Sequence, residues 1–183
     1  MKNKAIFLDR DGTINIDKGY LYKKEEFEFL DKAIEGLKIL TDLGYILIVV
    51  TNQSGIARGY YTEEQLEDLN NYMAEELKKH GVEIKKSYYC PHHAEKGLGK
   101  YKVECNCRKP NPGMVLEGIK EFNVDVENSY IVGDKLSDAE AGIRAGIKGV
   151  IVQTGLEVVE KTDDENIKIY PSLYDFAKDL LKK

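Results

Sequence analysis

The feature that most constrains this sequence is a set of four short runs that are apolar almost throughout. They are KAIFLD (4–9), YILIVVT (45–51), SYIVGD (129–134) and KGVIVQT (148–154). A strand with one solvated face alternates apolar and polar residues, whereas a parallel strand covered on both faces does not. The four runs therefore predict parallel strands inside an α/β fold.

Segments with helical periodicity lie between and after these runs. Helices are predicted over 34–43, 62–81, 112–122, 137–145 and 172–183. Alternation of strands and helices predicts a doubly wound parallel sheet in a three-layer α/β/α arrangement. Because neither an internal repeat nor a linker interrupts the pattern, residues 1–183 are expected to form one domain.

Charge and hydropathy limit the expected partners. With 27 Lys and Arg against 32 Asp and Glu, the net charge is -5, which gives no general attraction for nucleic acid or an anionic membrane. No apolar run approaches the length of a membrane span, and the N-terminus lacks the apolar region of a signal peptide. A cytoplasmic location is therefore expected. No apolar stripe suggests assembly, so a monomer is expected.

Polar residues suited to phosphate chemistry end or follow the predicted strands, or lie just before a helix. They are Asp9, Asp11, Thr51, Asn52, Arg108, Lys109 and Asp134. Ligands of open α/β sheets collect at the carboxyl ends of the strands, so these side chains are expected to converge. Three converging carboxylates repel one another unless a cation lies between them, and Mg²⁺ prefers such oxygen ligands. With Lys109 and Thr51 facing the phosphoryl group, the set predicts a phosphoryl-transfer site.

Each motif taken alone has a structural alternative. An isolated Asp-x-Asp can be a turn or a cap, the TN pair could begin a turn, and Lys109 could be a surface lysine. Asp138 could bind the metal or complement the N-terminal dipole of a helix, and we assign it a supporting position behind Asp134. The order of the motifs along the chain favours the catalytic interpretation.

A second metal site is predicted in the irregular stretch 90–112. Cys-x-His is followed by twelve residues and then Cys-x-Cys. The three cysteines with either His92 or His93 suit tetrahedral Zn²⁺ with no open position, which is typical of a structural site. An odd, clustered set of cysteines argues against disulfides. Zinc would order a loop, about 90–109, that ends at the RKP motif.

Four of these motifs together resemble those of the haloacid dehalogenase-like (HAD-like) superfamily of phosphatases. They are DRDGT (9–13), TNQSG (51–55), RKP (108–110) and GDKLSD (133–138). With CPHH and CNC in the same order, the resemblance narrows to the branch that contains heptose-bisphosphate and histidinol-phosphate phosphatases. It implies a HAD-like fold and a zinc loop, with His92 as the zinc ligand beside Cys90, Cys105 and Cys107. The chain has no room for the large cap domain of bigger members.

The resemblance also implies a role for individual residues. Asp9 would be the nucleophile that forms an aspartyl-phosphate, and Asp11 would be the general acid and base. Thr51 and Lys109 would neutralise the phosphoryl oxygens. Mg²⁺ would be held by Asp9, the main-chain carbonyl of Asp11, and Asp134. Substrate contacts are implied for Asp17, Lys18, Gly19, Tyr20, Thr51, Asn52, Gln53, Ser54, Arg108, Lys109 and Lys135.

The motifs favour one substrate and leave others open. DKGYLY (17–22) and TNQSGIARGYY (51–61) are closer to the heptose enzymes, so the expected reaction is Mg²⁺-dependent hydrolysis of heptose 1,7-bisphosphate to heptose 1-phosphate. Arg58, Arg108 and Lys135 are candidates to bind the phosphate that is not cleaved. Alternatives are a histidinol-phosphate phosphatase, a 3′-phosphatase on nucleic-acid ends, and a zinc-stabilised binding module without turnover. Acidic charge disfavours the nucleic-acid substrate, and the complete set of motif residues disfavours the binding module.

Overall fold

The computed structural model describes residues 1–183, and a six-stranded sheet forms its centre. The strands are β1 (Ala5–Leu8), β2 (Ile46–Asn52), β3 (Ile84–Cys90), β4 (Tyr130–Gly133), β5 (Lys148–Val152) and β6 (Ile167–Tyr170). Their order in the sheet is β3-β2-β1-β4-β5-β6, and every neighbouring pair is parallel. The predicted doubly wound parallel sheet is confirmed.

Helices cover both faces of this sheet. They are α1 (Ala33–Asp42), α2 (Ser54–Ala57), α3 (Glu63–Lys78), α4 (Gly113–Glu121), α5 (Leu136–Arg144) and α6 (Leu173–Leu181). Alternate residues of β1 belong to two separate cores: Ile6 and Leu8 pack with α1, α3 and α6, whereas Ala5 and Phe7 pack with α4 and α5. Burial on both faces explains why the strand sequences do not alternate.

The four predicted strands correspond to β1, β2, β4 and β5, but the two edge strands were not located from the sequence. The sequence left room for a strand between 51 and 109 without placing it, and predicted none after 154. The residues of β3 read IKKSYYC and those of β6 read IKIY. Lysines at a sheet edge discourage pairing with other chains, and they also break the apolar run by which a strand is recognised.

The strand order places the functional motifs at one edge of the sheet. Because β1 lies between β2 and β4, the connections diverge there and leave a crevice at the carboxyl ends of the strands. Asp9 follows β1 and Asp134 follows β4, and these strands pair directly. The chain between β2 and Lys109 forms α2, α3, β3 and the loop from 91, so no large cap domain covers the crevice. None of the helices is long and apolar enough to cross a membrane.

Candidate active site

Three buried carboxylates meet at the crevice. Asp9, Asp134 and Asp138 are 7%, 1% and 2% exposed, and each offers an oxygen within 4.8 Å of the others. Both carboxylate oxygens of Asp134 are buried without a hydrogen-bond partner. Burial, together with the charges of Asp9 and Asp138, raises the pKa of Asp134 to about 9. Unpartnered, crowded carboxylate oxygens fit a hard divalent cation such as Mg²⁺, which would remove this penalty.

The backbone closes tightly around Asp134. Gly12 has a φ of +82°, and a Cβ on it would lie 2.6 Å from Oδ2 of Asp134. A Cβ on Gly155 would lie 2.0 Å from the same oxygen. Glycine is therefore required on both sides because any side chain would collide with the carboxylate. The glycine of DRDGT, Gly12, therefore leaves the space that the Asp134 carboxylate occupies.

Lys109 supplies the positive charge of the site. Its buried ammonium donates hydrogen bonds to Oδ1 of Asp9 at 3.0 Å and to the carbonyl of Val50 at 2.7 Å. It also lies 2.6 Å from Oδ1 of Asp138. Burial would lower the pKa of Lys109, but the two carboxylates outweigh it and hold the pKa above its ordinary value. The second oxygen of Asp138 accepts the Lys135 N–H at 3.0 Å, so Asp138 is well placed to orient the lysine.

Asp9 is ionised in this arrangement. Burial would raise its pKa, but the charge of Lys109 and the hydrogen bond from its ammonium outweigh burial and lower the pKa. The Asp9 N–H donates to the carbonyl of Val132 in β4 at 2.9 Å, which fixes the end of β1. An ionised carboxylate on a fixed backbone has the properties of a nucleophile.

The carboxylate of Asp11 contacts different residues from those around Asp9 and Asp134. Its carboxylate accepts hydrogen bonds from Nη2 of Arg10 at 3.0 and 3.1 Å, from Asn15 at 3.0 Å and from Gln53 at 3.1 Å. Its main-chain carbonyl accepts no hydrogen bond, which leaves that oxygen free for a cation. Arg10 was not identified from the sequence, although a cation between two acids was a visible signal.

Two residues predicted to touch substrate, Asn52 and Gln53, also support other site residues. The side-chain amide of Asn52 donates a hydrogen bond to the main-chain carbonyl of Lys109 at 3.1 Å and accepts one from the main-chain N–H of Lys109 at 2.9 Å. Gln53 donates to the hydroxyl of Thr51 at 3.0 Å and accepts a hydrogen bond from the phenol of Tyr61. These contacts fix the lysine and the threonine, and a direct contact of either amide with substrate stays a prediction.

Aromatic residues from two loops, 17–22 and 53–60, pack against each other, and we call these two loops the rim of the crevice. The rings of Tyr20 and Tyr60 pack edge to face with centroids 4.9 Å apart, and the guanidinium of Arg58 lies 5.5 Å from the Tyr20 ring. Tyr20 has a φ of +48°, a conformation uncommon outside glycine. Lys18 forms a salt bridge with Glu28 at 2.8 Å, and its contact with substrate stays a prediction. The loop carrying the GYLY sequence thus reaches the loop after β2.

The remaining predicted residues lie in turns, next to the start of a helix, or near this rim. The side chain of Asp17 accepts the Gly19 N–H at 3.0 Å, and Ser54 begins α2. Lys135 is exposed and precedes α5. Two guanidinium nitrogens, Nε of Arg58 and Nη1 of Arg108, are buried without a hydrogen-bond partner. Such unpaired donors suit an anion.

The second predicted metal site is also assembled. The ligand atoms of Cys90, His92, Cys105 and Cys107 all lie within 4.8 Å of one another. Nδ1 of His92 is 3.4 Å from Sγ of Cys107, and the sulfurs of Cys90 and Cys105 are 3.4 Å apart. Hydrogen bonds from Cys90, Cys105 and His92 lower the pKa of Cys107 to about 5, which favours the thiolate form that binds metal. The set fits tetrahedral zinc.

The structure separates the two adjacent histidines. Nδ1 of His93 accepts the main-chain N–H groups of Glu95 and Lys96 at 3.2 and 2.9 Å, so that nitrogen belongs to a turn. His92 alone faces the thiols. Of the two alternatives that the spacing left open, the geometry favours His92.

Mg²⁺ is expected to stabilise the protein through Asp134. At a free concentration 100-fold above its dissociation constant, a ligand of the folded state adds ~2.7 kcal/mol. Asp134→Asn should abolish this increment, while raising the melting temperature of the metal-free protein because it removes a carboxyl that is costly to bury. Thermal unfolding of both proteins with and without Mg²⁺ measures this. An equal Mg²⁺ shift in the variant would place the cation elsewhere.

Known proteins resemble this chain over most of its length. The sequence profile of the HAD-hydrolase-like family matches residues 106–180. A D-glycero-beta-D-manno-heptose-1,7-bisphosphate 7-phosphatase of Pasteurella multocida is 49% identical, over 96% of this chain and 95% of the relative. A D-glycero-alpha-D-manno-heptose-1,7-bisphosphate 7-phosphatase of Photorhabdus laumondii is 44% identical, over 97% and 96%. The crystal structure of a D,D-heptose 1,7-bisphosphate phosphatase from B. bronchiseptica, complexed with magnesium and phosphate, superposes with a TM-score of 0.86 at 31% identity, covering 98% of both chains.

A parallel sheet with an acidic crevice at its carboxyl edge and this degree of similarity define the class: the chain belongs to the HAD-like hydrolases. Within that class it belongs with the heptose-1,7-bisphosphate 7-phosphatases, since relatives of that name match it at 42–49% identity over nearly its whole length.

Proposed function

We propose that this protein is a Mg²⁺-dependent phosphatase that removes the 7-phosphate of D-glycero-D-manno-heptose 1,7-bisphosphate and leaves heptose 1-phosphate. The observation that carries the chemistry is the buried, ionised Asp9 paired with Lys109 beside the unpartnered carboxylate of Asp134. The names of the full-length relatives support the substrate.

The reaction proceeds in two displacements at phosphorus. A carboxylate oxygen of Asp9 forms a bond to phosphorus while the bond from phosphorus to the sugar oxygen breaks, and Asp11 gives its proton to that oxygen. A water molecule then attacks phosphorus and gives a proton to Asp11. The bond between phosphorus and Asp9 breaks, which releases inorganic phosphate and restores both carboxyl groups.

Charge neutralisation accompanies both displacements. Lys109 and the hydroxyl of Thr51 face the phosphoryl oxygens, where fixed donors contribute most to this chemistry. Asp9, the carbonyl of Asp11 and Asp134 would hold Mg²⁺, which when bound supplies a Lewis acid for the same oxygens. Asn52 keeps Lys109 in place through its main chain.

The phosphate that is not cleaved binds at the rim. Arg58 and Arg108 bring buried, unpaired guanidinium nitrogens to this region, and Lys135 adds an exposed ammonium. Substrate contacts are also proposed for the 17–20 segment and for 52–54. With no large cap domain over the crevice, an extended polar substrate can enter directly.

Zn²⁺ is proposed as a structural ion held by Cys90, His92, Cys105 and Cys107. The loop it would order ends at Arg108 and Lys109, so zinc fixes the catalytic lysine indirectly. One functional domain over 1–183, a monomeric state and a cytoplasmic location stay predictions of the sequence.

A substrate panel tests the proposal. Phosphate release is measured with both anomers of heptose 1,7-bisphosphate, histidinol phosphate, other sugar bisphosphates and a DNA 3′-phosphate. The highest kcat/KM is expected with one of the heptose anomers. A preference for histidinol phosphate would overturn the substrate while leaving the chemistry intact, and no turnover of any ester would favour a binding module.

A further inference from the structure

Arg10, the second residue of the DRDGT motif, is a charged residue that the proposed reaction does not use. Its side chain is 0% exposed and is the largest fully buried side chain in the protein. Besides Asp11, the guanidinium donates to Oδ1 of Asn70 at 3.0 Å and to the carbonyl of Leu21 at 3.3 Å. A buried guanidinium is costly unless it is paired and its N–H groups are satisfied, so these partners hold it in one orientation.

Asn70 is an exception on its helix. It lies on the buried face of α3 and is 6% exposed, where the other buried residues are Leu66, Leu69, Met73 and Leu77. A polar side chain on such a face destabilises the fold unless it has a hydrogen-bond partner. Its amide oxygen accepts the Arg10 hydrogen bond. Helix α3 therefore supplies one hydrogen-bond acceptor, the amide oxygen of Asn70, to the guanidinium that contacts Asp11.

We propose that Arg10 and Asn70 are positioning residues that aim the carboxyl group of Asp11 at the leaving-group oxygen. The inference rests on the proposed function, in which Asp11 is the general acid. Two nitrogens of Arg10 contact Asp11, Nη2 bridging both carboxylate oxygens and Nε lying 3.3 Å from one of them, so a shift of the guanidinium moves the acid. A general acid works within hydrogen-bond reach of its target, and a displacement of about 1 Å can cost ~10²-fold.

The leaving group separates this role from a merely structural one. When an alkyl phosphate reacts with Asp9, the departing alkoxide must take a proton from Asp11 as the bond to phosphorus breaks. When p-nitrophenyl phosphate reacts, p-nitrophenolate departs as a stable anion and needs no proton. The kcat/KM value covers steps up to release of this group, so it excludes the later water attack, which uses Asp11 with either substrate.

The test compares kcat/KM of heptose bisphosphate and p-nitrophenyl phosphate in Asn70→Leu and Arg10→Lys. The heptose value is expected to fall ~10- to 100-fold in each variant, and the p-nitrophenyl value less than about threefold. Asn71→Leu, at the exposed neighbouring position, is the matched control and should change neither value. Circular dichroism and melting temperature identify folded variants, and Arg10→Lys keeps the buried charge if Asn70→Leu does not fold.

An equal fall with both substrates, or no fall in a folded variant, would overturn the positioning role. Failure of the proposed substrate is visible separately, since it shows in the wild-type protein. If the wild type prefers another alkyl phosphate, that ester replaces heptose bisphosphate in the same comparison.

Discussion

Replacing Asp9 with Asn is expected to abolish phosphate release while the fold stays intact. An amide cannot form the acyl-phosphate bond, so the expected loss is on the order of 10⁴-fold or more, as for other nucleophiles of covalent enzymes. The substitution keeps the shape of the side chain, and Lys109 retains Asp138 as its ion-pair partner. Folding should therefore change little compared with activity.

Phosphate release measures the expected loss of activity, and the melting temperature shows whether the fold is retained. Acid quenching of the wild type during turnover, followed by mass spectrometry, should find phosphate on the peptide that contains Asp9, and the variant should lack it. Asp31→Asn, an exposed acid outside the site, serves as the control and should retain activity. Hydrolysis that persists in Asp9→Asn would show that another group attacks phosphorus.

Replacing His92 with Ala is expected to release the proposed zinc ion, whereas replacing His93 with Ala is not. Removing one of four ligands opens a structural site, and apparent zinc-binding free energies of such sites are about 10–16 kcal/mol. The loop from Cys90 to Cys107 has few apolar side chains to replace the ion, and it ends two residues before Lys109. Activity of His92→Ala is therefore expected to fall ~10²-fold through displacement of the lysine.

Metal content of the purified variants measures this difference directly. The sheet should survive in His92→Ala because the larger of its two cores contains no residue of the loop, so far-ultraviolet circular dichroism should be retained. Zinc retained by His92→Ala but lost by His93→Ala would reverse the ligand assignment.

The central part of the fold could be predicted from the sequence because it depends on local patterns. β1, β2, β4 and β5 are apolar on both faces, and the acids come directly after β1 and β4, so sheet topology alone brings them together. The edge strands β3 and β6 could not be located because their lysines interrupt the pattern.

The supporting contacts of the site were not predictable in the same way. Asn52 and Lys109 are 57 residues apart, and Arg10 and Asn70 are 60 apart. Which polar atoms meet over such distances depends on the packing of whole elements. The sequence identified Asn52 as a site residue, but its hydrogen bonds to the main chain of Lys109 could be seen only in the structure.

A crystal structure with Mg²⁺ and aluminium fluoride, an analogue of the transferring phosphoryl group, tests the central claim most directly. We expect Mg²⁺ at about 2.0–2.1 Å from oxygens of Asp9 and Asp134. The ammonium of Lys109 should lie within hydrogen-bond distance of the analogue, on the side opposite the cation. A cation bound away from Asp134, or a Lys109 that makes no contact with the analogue, would contradict the account.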